Sequence, residues 1–246
     1  MSCFLQCTRK HRYQYVDKIK TMSTGALVLG NHFHKGLELN YAQKIRTEKD
    51  LPVEKITDYF RKTFGRAINA DNVQLDPTET VEGLTELGCR MLETHHKFIA
   101  HTVQPLFVEK NFRCSLGEGF PFDLTGRWDL IDIGYVIVDN KTYGRPPKQE
   151  WLDRDLQMSV YSLAFRLTFG EIEAGLRIDA VTKAKTPRVL RLYTHRTDND
   201  AKWLLGQIEC VAAAILKGVD YPQNDSPLCS PQYCGYWNLC KVERRY

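Results

Sequence analysis

An acid and an amine stand two residues apart at the end of a predicted buried strand. The apolar run from Tyr135 to Val138 is followed by Asp139 and Lys141. Because side chains alternate between the two faces of a strand, residues two apart point the same way. The sequence therefore predicts a carboxylate and an ammonium group side by side at one edge of a sheet.

A second acid is expected opposite the first. If the chain turns at Gly134, Asp129 faces Asp139 on the neighbouring antiparallel strand, about 5 Å away. Two such carboxylates repel unless a positive charge lies between them, and Mg²⁺ or Mn²⁺ takes oxygen ligands and activates water for attack on phosphate. Lys141 would orient that water or stabilise the developing charge. The alternatives are a surface ion pair on a solvated hairpin, and Asp132, which ranks below Asp129 because its parity differs and it is nearer the turn.

A glutamine, a tyrosine and a histidine are further candidates. Gln157 and Tyr161 are four apart on a predicted helix and share one face. This places Gln157 at the metal or phosphate and Tyr161 against a base, unless the tyrosine packs in the core. His34, four residues after Gly30 and before a helical pattern, is a candidate metal ligand. It would otherwise be a cap or surface residue, and His32 is its rival.

Composition describes an ordinary globular chain. The 246 residues are 43% hydrophobic and carry a net charge of +4. This suffices for one sizeable core and permits a nucleic acid partner without requiring one. The N-terminus lacks the apolar core of a signal peptide, and we see no run long enough to span a bilayer. We therefore expect a reducing, cytoplasmic location with no membrane partner.

The elements that must position these residues alternate in type. A mostly helical region from Gly36 to about His101 is followed by segments with the two-residue period of strands. The predicted elements after Leu106 are strands from Leu106, at Leu124–Ile133 and at Tyr135–Thr142, a helix at Glu150–Phe169, strands at Leu176–Lys183 and Val189–His195, and a helix at Ala201–Lys217. This order predicts a mixed α/β fold.

Cysteines gather at the two ends of the chain. Cys229, Cys234 and Cys240 lie close together in an aromatic-rich tail. Thiolates are soft ligands that suit zinc or an iron–sulfur cluster, and four are normally needed. Cys7 is the candidate for the fourth ligand, with Cys3 as its rival. The remaining three are predicted to be buried thiols: Cys89, Cys114 and Cys210.

Taken in order, four short motifs resemble the RecB-like branch of the PD-(D/E)XK nucleases. They are G-x-x-x-H (30–34), G-x-x-D (126–129), D-x-K-[ST] (139–142) and Q-x-x-x-Y (157–161). The resemblance implies that His34, Asp129 and Asp139 bind the catalytic metal with the backbone carbonyl of Asn140, and that Lys141 is the catalytic lysine. It also implies that Gln157 and Tyr161 form a substrate-side motif that contacts DNA.

The ends of the chain resemble the iron–sulfur members of this branch, such as AddB and the CRISPR-associated exonucleases. That resemblance implies one [4Fe–4S] cluster on Cys7, Cys229, Cys234 and Cys240, with zinc as the alternative. The implied fold is a restriction-endonuclease-like core, a mixed central sheet flanked by helices, with an N-terminal helical region and a C-terminal tail stapled by the cluster. We expect a single domain, 1–246, with a helical lobe at 36–105, a nuclease core at 106–195 and a cysteine module at 1–20 plus 222–246.

The resemblance implies an exonuclease that hydrolyses DNA ends, with single strands as the expected substrate. Recombination, phage replication and CRISPR spacer processing, in a prokaryotic cell or a phage-infected host, are the implied settings, with possible protein partners there. Basic residues around the predicted site would neutralise phosphate: Lys141, Arg145, Lys148, Arg154, Lys183, Lys185 and Arg188. Tyr143 and Trp151 offer stacking surfaces. The alternative function is a non-catalytic DNA-binding subunit that keeps the fold and the cluster.

Overall fold

The computed structural model describes residues 1–70, 72–222 and 226–243. The chain divides into two compact units, Thr24–Ala201 and Met1–Ser23 with Lys202–Tyr246. Within the predicted cysteine module, residues 223–225 and 244–246 lie outside the described residues. None of the helices in the described part of the chain combines the length and apolarity needed to cross a membrane.

A mixed five-stranded sheet forms the centre of the larger unit. Its strands, in sheet order, are β3 (Pro105–Ser115), β4 (Asp123–Asp132), β5 (Val136–Tyr143), β6 (Gly175–Thr182) and β7 (Val189–Thr194). Neighbouring strands are antiparallel except β5 and β6, which are parallel. The parallel pair requires a crossover, and the chain between β5 and β6 supplies it with helices.

Three long helices belong to the core on one face of the sheet. They are α3 (Gly25–Thr47), α4 (Val53–Ile68) and α5 (Val81–Phe98); the two-residue strands β1 (Ser23–Thr24) and β2 (Val73–Gln74) precede α3 and α5. Phe33, Phe60 and Met91, one from each helix, are fully buried and share a cluster with Leu130 and Val138 of the sheet. This cluster anchors α3 beside β4 and β5.

The other face of the sheet packs against the crossover helices. The short helix α6 (Gln149–Leu152) leads into α7 (Leu156–Phe169). Met158 and Phe165 of α7 share a buried cluster with Trp128 of β4 and Ile137 of β5. Trp128 Nε1 donates a hydrogen bond to the carbonyl oxygen of Tyr161 at 3.2 Å, which fixes α7 along the sheet.

The smaller unit gathers the two ends of the chain. It holds α1 (Ser2–Gln6), α2 (Thr8–His11), most of α8 (Asp198–Leu216) and α9 (Trp237–Glu243). Arg9 Nε contacts Asp220 Oδ1 at 3.0 Å, and Tyr13 OH donates to Glu243 Oε2 at 2.6 Å. The rings of Tyr13 and Tyr236 pack together, 5.4 Å between centres. Segments more than two hundred residues apart in the chain are thereby joined.

The α/β class, the mixed sheet and its flanking helices are confirmed. Two boundaries were wrong. The helical region begins at Gly25 rather than Gly36, so His34 lies inside α3 and not before it. The predicted helix at Glu150–Phe169 is two helices, because Asp155 caps the start of α7 by accepting a hydrogen bond from the Met158 N–H at 2.9 Å.

Packing between α4 and α5 requires a glycine at position 88. A Cβ atom there would overlap the fully buried ring of Phe60. We expect Gly88→Ala to lower the free energy of unfolding by about 1–3 kcal/mol, because overpacking forces side chains or backbone to shift. The measurement is urea unfolding followed by circular dichroism.

Gly65 provides the matched control on α4. A Cβ atom at that position meets no atom within 4 Å, so Gly65→Ala should raise stability by about 0.5–1 kcal/mol through helix propensity alone. Equal effects of the two substitutions would contradict the described packing.

Candidate metal centre

The β4–β5 pair brings Asp129 and Asp139 together. Leu130 pairs with Val138 and Ile131 with Ile137, so the next position in the same register sets Asp129 opposite Asp139. The backbone N–H of Asn140 donates to Asp129 Oδ2 at 3.0 Å, and Asp139 is fully buried. The two carboxylates therefore share one site, in the arrangement that the register predicted.

Lys141 lies in the same site. Its Nζ is 2.9 Å from Asp139 Oδ2 and donates to Gln157 Oε1 at 3.1 Å. Burial lowers the pKa of this amine, but the carboxylates of Asp139 and Asp129 outweigh burial and the pKa is raised overall. The amine therefore carries its charge at neutral pH.

Gln157 lies at the predicted metal site, whereas Tyr161 is not available to stack on a base. The amide of Gln157 donates to Asp139 Oδ1 at 3.1 Å and to the Tyr161 hydroxyl at 2.7 Å. Tyr161 is 6% exposed and belongs to the core, so its ring cannot stack on a base. Gln157 therefore holds Asp139 and Lys141 in place, and Tyr161 holds Gln157.

His34 reaches the carboxylates from α3. Its Nδ1 is 3.4 Å from Asp129 Oδ2, and the ring also hydrogen-bonds with the backbone of Asn140. Burial, with the charge of Lys141, lowers the pKa of His34 to about 4. The ring is therefore neutral at physiological pH, which is the form that binds metals.

The rival residues have other partners. His32 Nδ1 is 3.1 Å from the Thr63 hydroxyl of α4. Asp132 accepts hydrogen bonds from the N–H groups of Gly134 and Val136 and so stabilises the β4–β5 turn. Neither side chain contributes to the site that contains Asp129.

Glu109 also lies in this site and was not predicted. Ligand atoms of His34, Glu109 and Asp129 all lie within 4.8 Å of one another. Burial, together with the nearby charge of Asp129, raises the pKa of Glu109 to about 7. The sequence did place Glu109 on the strand that begins near Leu106. It did not show how that strand pairs with β4, and so it did not show that Glu109 lies beside Asp129.

The site concentrates negative charge in a buried place. Burial raises the pKa of Asp139, the adjacent Asp129 raises it further, and Lys141 offsets only part of this. Burial likewise raises the pKa of Asp129. Oxygen ligands and a neutral imidazole that converge in this way fit a hard divalent cation such as Mg²⁺ or Mn²⁺.

Four cysteines in the smaller unit line one cavity of about 20 Å³: Cys7, Cys229, Cys234 and Cys240. Cys3 does not line this cavity, and its Sγ lies 3.6 Å from Gln14 Oε1. The four predicted ligands therefore surround a common space. Cys89 and Cys114 are buried as expected, whereas the prediction for Cys210 was wrong, because it is exposed on α8.

The predicted phosphate and base contacts differ in exposure. Lys148, Trp151 and Arg154 line an open groove of about 520 Å³, and Trp151 is 45% exposed. The ring of Tyr143 packs edge-on against Trp151, 6.2 Å between centres. Lys183 is partly buried, with its Nζ 3.5 Å from the carbonyl oxygen of Ala26, so it is a poor candidate for a phosphate contact.

The profile of the PD-(D/E)XK nuclease superfamily matches residues 1–241. The chain belongs to this superfamily. PD-(D/E)XK proteins are nucleases that use divalent metals and bind DNA, so the expected superfamily and its hydrolase class are confirmed.

Comparisons with individual proteins are weaker. No curated protein matches the chain. Among solved structures, a proposed exonuclease from Eubacterium rectale is 19% identical, with a TM-score of 0.46 over 85% of this chain and 74% of that one. The protein SSO0001 is 11% identical, with a TM-score of 0.39 over 95% of this chain and 92% of that one.

The raised carboxyl pKa values predict a pH-dependent metal affinity in this PD-(D/E)XK protein. A protonated carboxyl group does not bind a cation, so metal binding releases protons. We expect Mn²⁺ affinity to rise with pH up to about 7, where Asp139 titrates, and then to level off. His34, with its pKa of about 4, adds nothing to this rise.

The measurement is calorimetric titration with Mn²⁺ at a series of pH values from weakly acid to weakly alkaline. A binding constant that is flat across this range would contradict the prediction, because it would mean that these carboxyl groups ionise at their ordinary pKa of about 4.

Proposed function

We propose that the chain is a RecB-like DNA exonuclease that hydrolyses phosphodiester bonds at DNA ends, with single strands as its substrate. The observation that carries the proposal is the meeting of Lys141 with Asp139 at 2.9 Å, in the site that also contains Asp129 and His34. These residues come from three elements, α3, β4 and β5, and their motifs stand in the order that the RecB-like branch has.

In this proposal, Asp129, Asp139, His34 and the carbonyl of Asn140 hold Mg²⁺ or Mn²⁺. A cation bound there supplies a Lewis acid and lowers the pKa of a bound water. Gln157 and Asp139 together fix the amine of Lys141, which faces the developing negative charge of the phosphate. Because that amine is already charged and held, it needs little reorganisation during the reaction.

The groove beside Trp151 supports a path for the DNA strand. Lys148 and Arg154 would neutralise phosphates without regard to sequence, and the exposed indole offers a stacking surface. We propose recombination, phage replication or CRISPR spacer processing as the setting, with protein partners from those pathways. A reducing, cytoplasmic compartment would preserve the thiolates.

A nuclease assay on 5′- and 3′-labelled single-stranded DNA with Mn²⁺ tests this function. We expect Asp139→Asn and Lys141→Ala each to lower the rate by at least about a hundredfold, because each removes a charge next to the reacting phosphate. Asp123→Asn, an exposed carboxylate at the start of β4, is the control and should keep full activity. Circular single strands should resist digestion.

Two outcomes would overturn the proposal in different ways. Equal degradation by wild type and variants would indicate a contaminant and favour the non-catalytic DNA-binding subunit. If the wild type cleaves circular and linear strands at the same rate and Asp139→Asn cleaves neither, the protein is a nuclease but not an exonuclease.

We further propose that Cys7, Cys229, Cys234 and Cys240 bind one [4Fe–4S] cluster. Their convergence on one cavity supports this.

The cluster would stabilise the fold by joining the two ends of the chain. We expect the purified protein to be brown with broad visible absorption, and Cys234→Ala to lose this absorption and melt at a lower temperature. Cys210→Ala, at the exposed cysteine of α8, should change neither. A colourless wild-type protein that contains zinc would contradict the iron–sulfur cluster but would agree with the proposed four cysteine ligands.

A further inference from the structure

The sheet places Glu109 directly beside the metal-binding carboxylates. Val108 pairs with Leu130 and Lys110 with Trp128, so Glu109 of β3 stands across from Asp129 of β4. Its backbone has a φ of 49°, in the left-handed region that non-glycine residues seldom adopt. The side chain is only 12% exposed and is therefore held inside the site.

We propose that Glu109 is a ligand of the divalent cation, together with His34 and Asp129. Ligand atoms of these three residues all lie within 4.8 Å of one another, and they form the only such group among the described His, Cys, Asp and Glu side chains. The three residues come from α3, β3 and β4. This inference rests on the proposed nuclease function and adds a protein ligand that the family motifs do not contain.

The chemistry of the three groups fits one hard cation. Two carboxylates and a neutral imidazole supply oxygen and nitrogen donors. Mn²⁺ binds both kinds of donor, whereas Mg²⁺ binds mainly to oxygen. The charge of a divalent ion would offset the repulsion between Glu109 and Asp129. Without it, two partly buried carboxylates face each other across adjacent strands.

Arg127 is the competing explanation for Glu109. Its Nε lies 2.7 Å from Glu109 Oε2, so the glutamate already has one cationic partner. The arginine side chain is 59% exposed, however, and its N–H groups are not aligned for a hydrogen bond to Oε2. Because the arginine lies mostly in solvent, it can move away from Glu109 when a cation binds.

The test is calorimetric titration of the full chain with Mn²⁺ after removal of divalent ions under anaerobic conditions. We expect Glu109→Gln to weaken Mn²⁺ binding by at least about tenfold, as loss of a group that orients or binds a metal typically does. Glu118→Gln, an exposed glutamate in the β3–β4 connection, is the matched control and should bind within about twofold of wild type.

A further variant, Asp129→Asn, separates the possible failures. If Asp129→Asn weakens Mn²⁺ binding and Glu109→Gln does not, the role of Glu109 is wrong and the proposed metal centre stands. If neither variant changes binding, the metal centre of the proposed function fails as well.

Arg127→Gln distinguishes a ligand from a mere ion-pair partner. If Glu109 is a ligand, this substitution keeps or strengthens Mn²⁺ binding, because it removes a competing cation. The metal-free Glu109→Gln protein should melt at or above the wild-type temperature, since the substitution removes a carboxylate beside Asp129. A lower melting temperature with unchanged Mn²⁺ binding would assign Glu109 to the ion pair and overturn the proposal.

Discussion

The repulsion between buried carboxylates on adjacent strands is the constraint that organises this protein. Asp139 is fully buried, Asp129 lies opposite it, and burial raises the pKa of both. One amine, Lys141, offsets part of the charge. The arrangement is costly for a folded chain on its own and becomes favourable when a divalent cation is bound. The arrangement is therefore better suited to binding a divalent cation than to stabilising the fold.

The rest of the larger unit holds these charges in place. Gln157 of α7, held by Tyr161, fixes Asp139 and Lys141 from one face of the sheet. Helix α3, which packs on the other face, brings His34 to Asp129. Gly126 allows the ring of Phe112 to lie against β4, because a Cβ atom there would overlap that ring. The motif residues thus divide into those that meet at the candidate metal site and those that position them.

Local pattern predicted much of this, and tertiary packing decided the rest. The strand that contains Asp139 follows from the apolar run before it and from the alternation of side chains between the two faces. The pairing of Asp139 with Asp129 follows from one turn at Gly134. The start of α3 could not be predicted in this way, because glycines at positions 25, 30 and 36 disfavour a helix. Packing against α5 and the sheet stabilises the helix there. Tyr161 looked available for stacking, since sequence spacing cannot show which face of a helix is buried.

Contacts between distant segments were the least accessible to sequence. Glu109 appeared as one of several alternating polar residues, and only the pairing of β3 with β4 shows that it faces Asp129. The cysteines at the two ends shared a chemical type, which suggested a common site before any contact was known. The chemical types of the residues suggested which side chains belong to one site, whereas the fold was needed to show which of those side chains lie close together.

The most direct measurement of the central claim is anomalous X-ray diffraction at the manganese edge, from crystals of the full chain soaked in Mn²⁺. We expect an anomalous peak within coordination distance of the Asp129 and Asp139 carboxylates and the His34 ring. Full Mn²⁺ density elsewhere, with Lys141 alone neutralising these carboxylates, would contradict it.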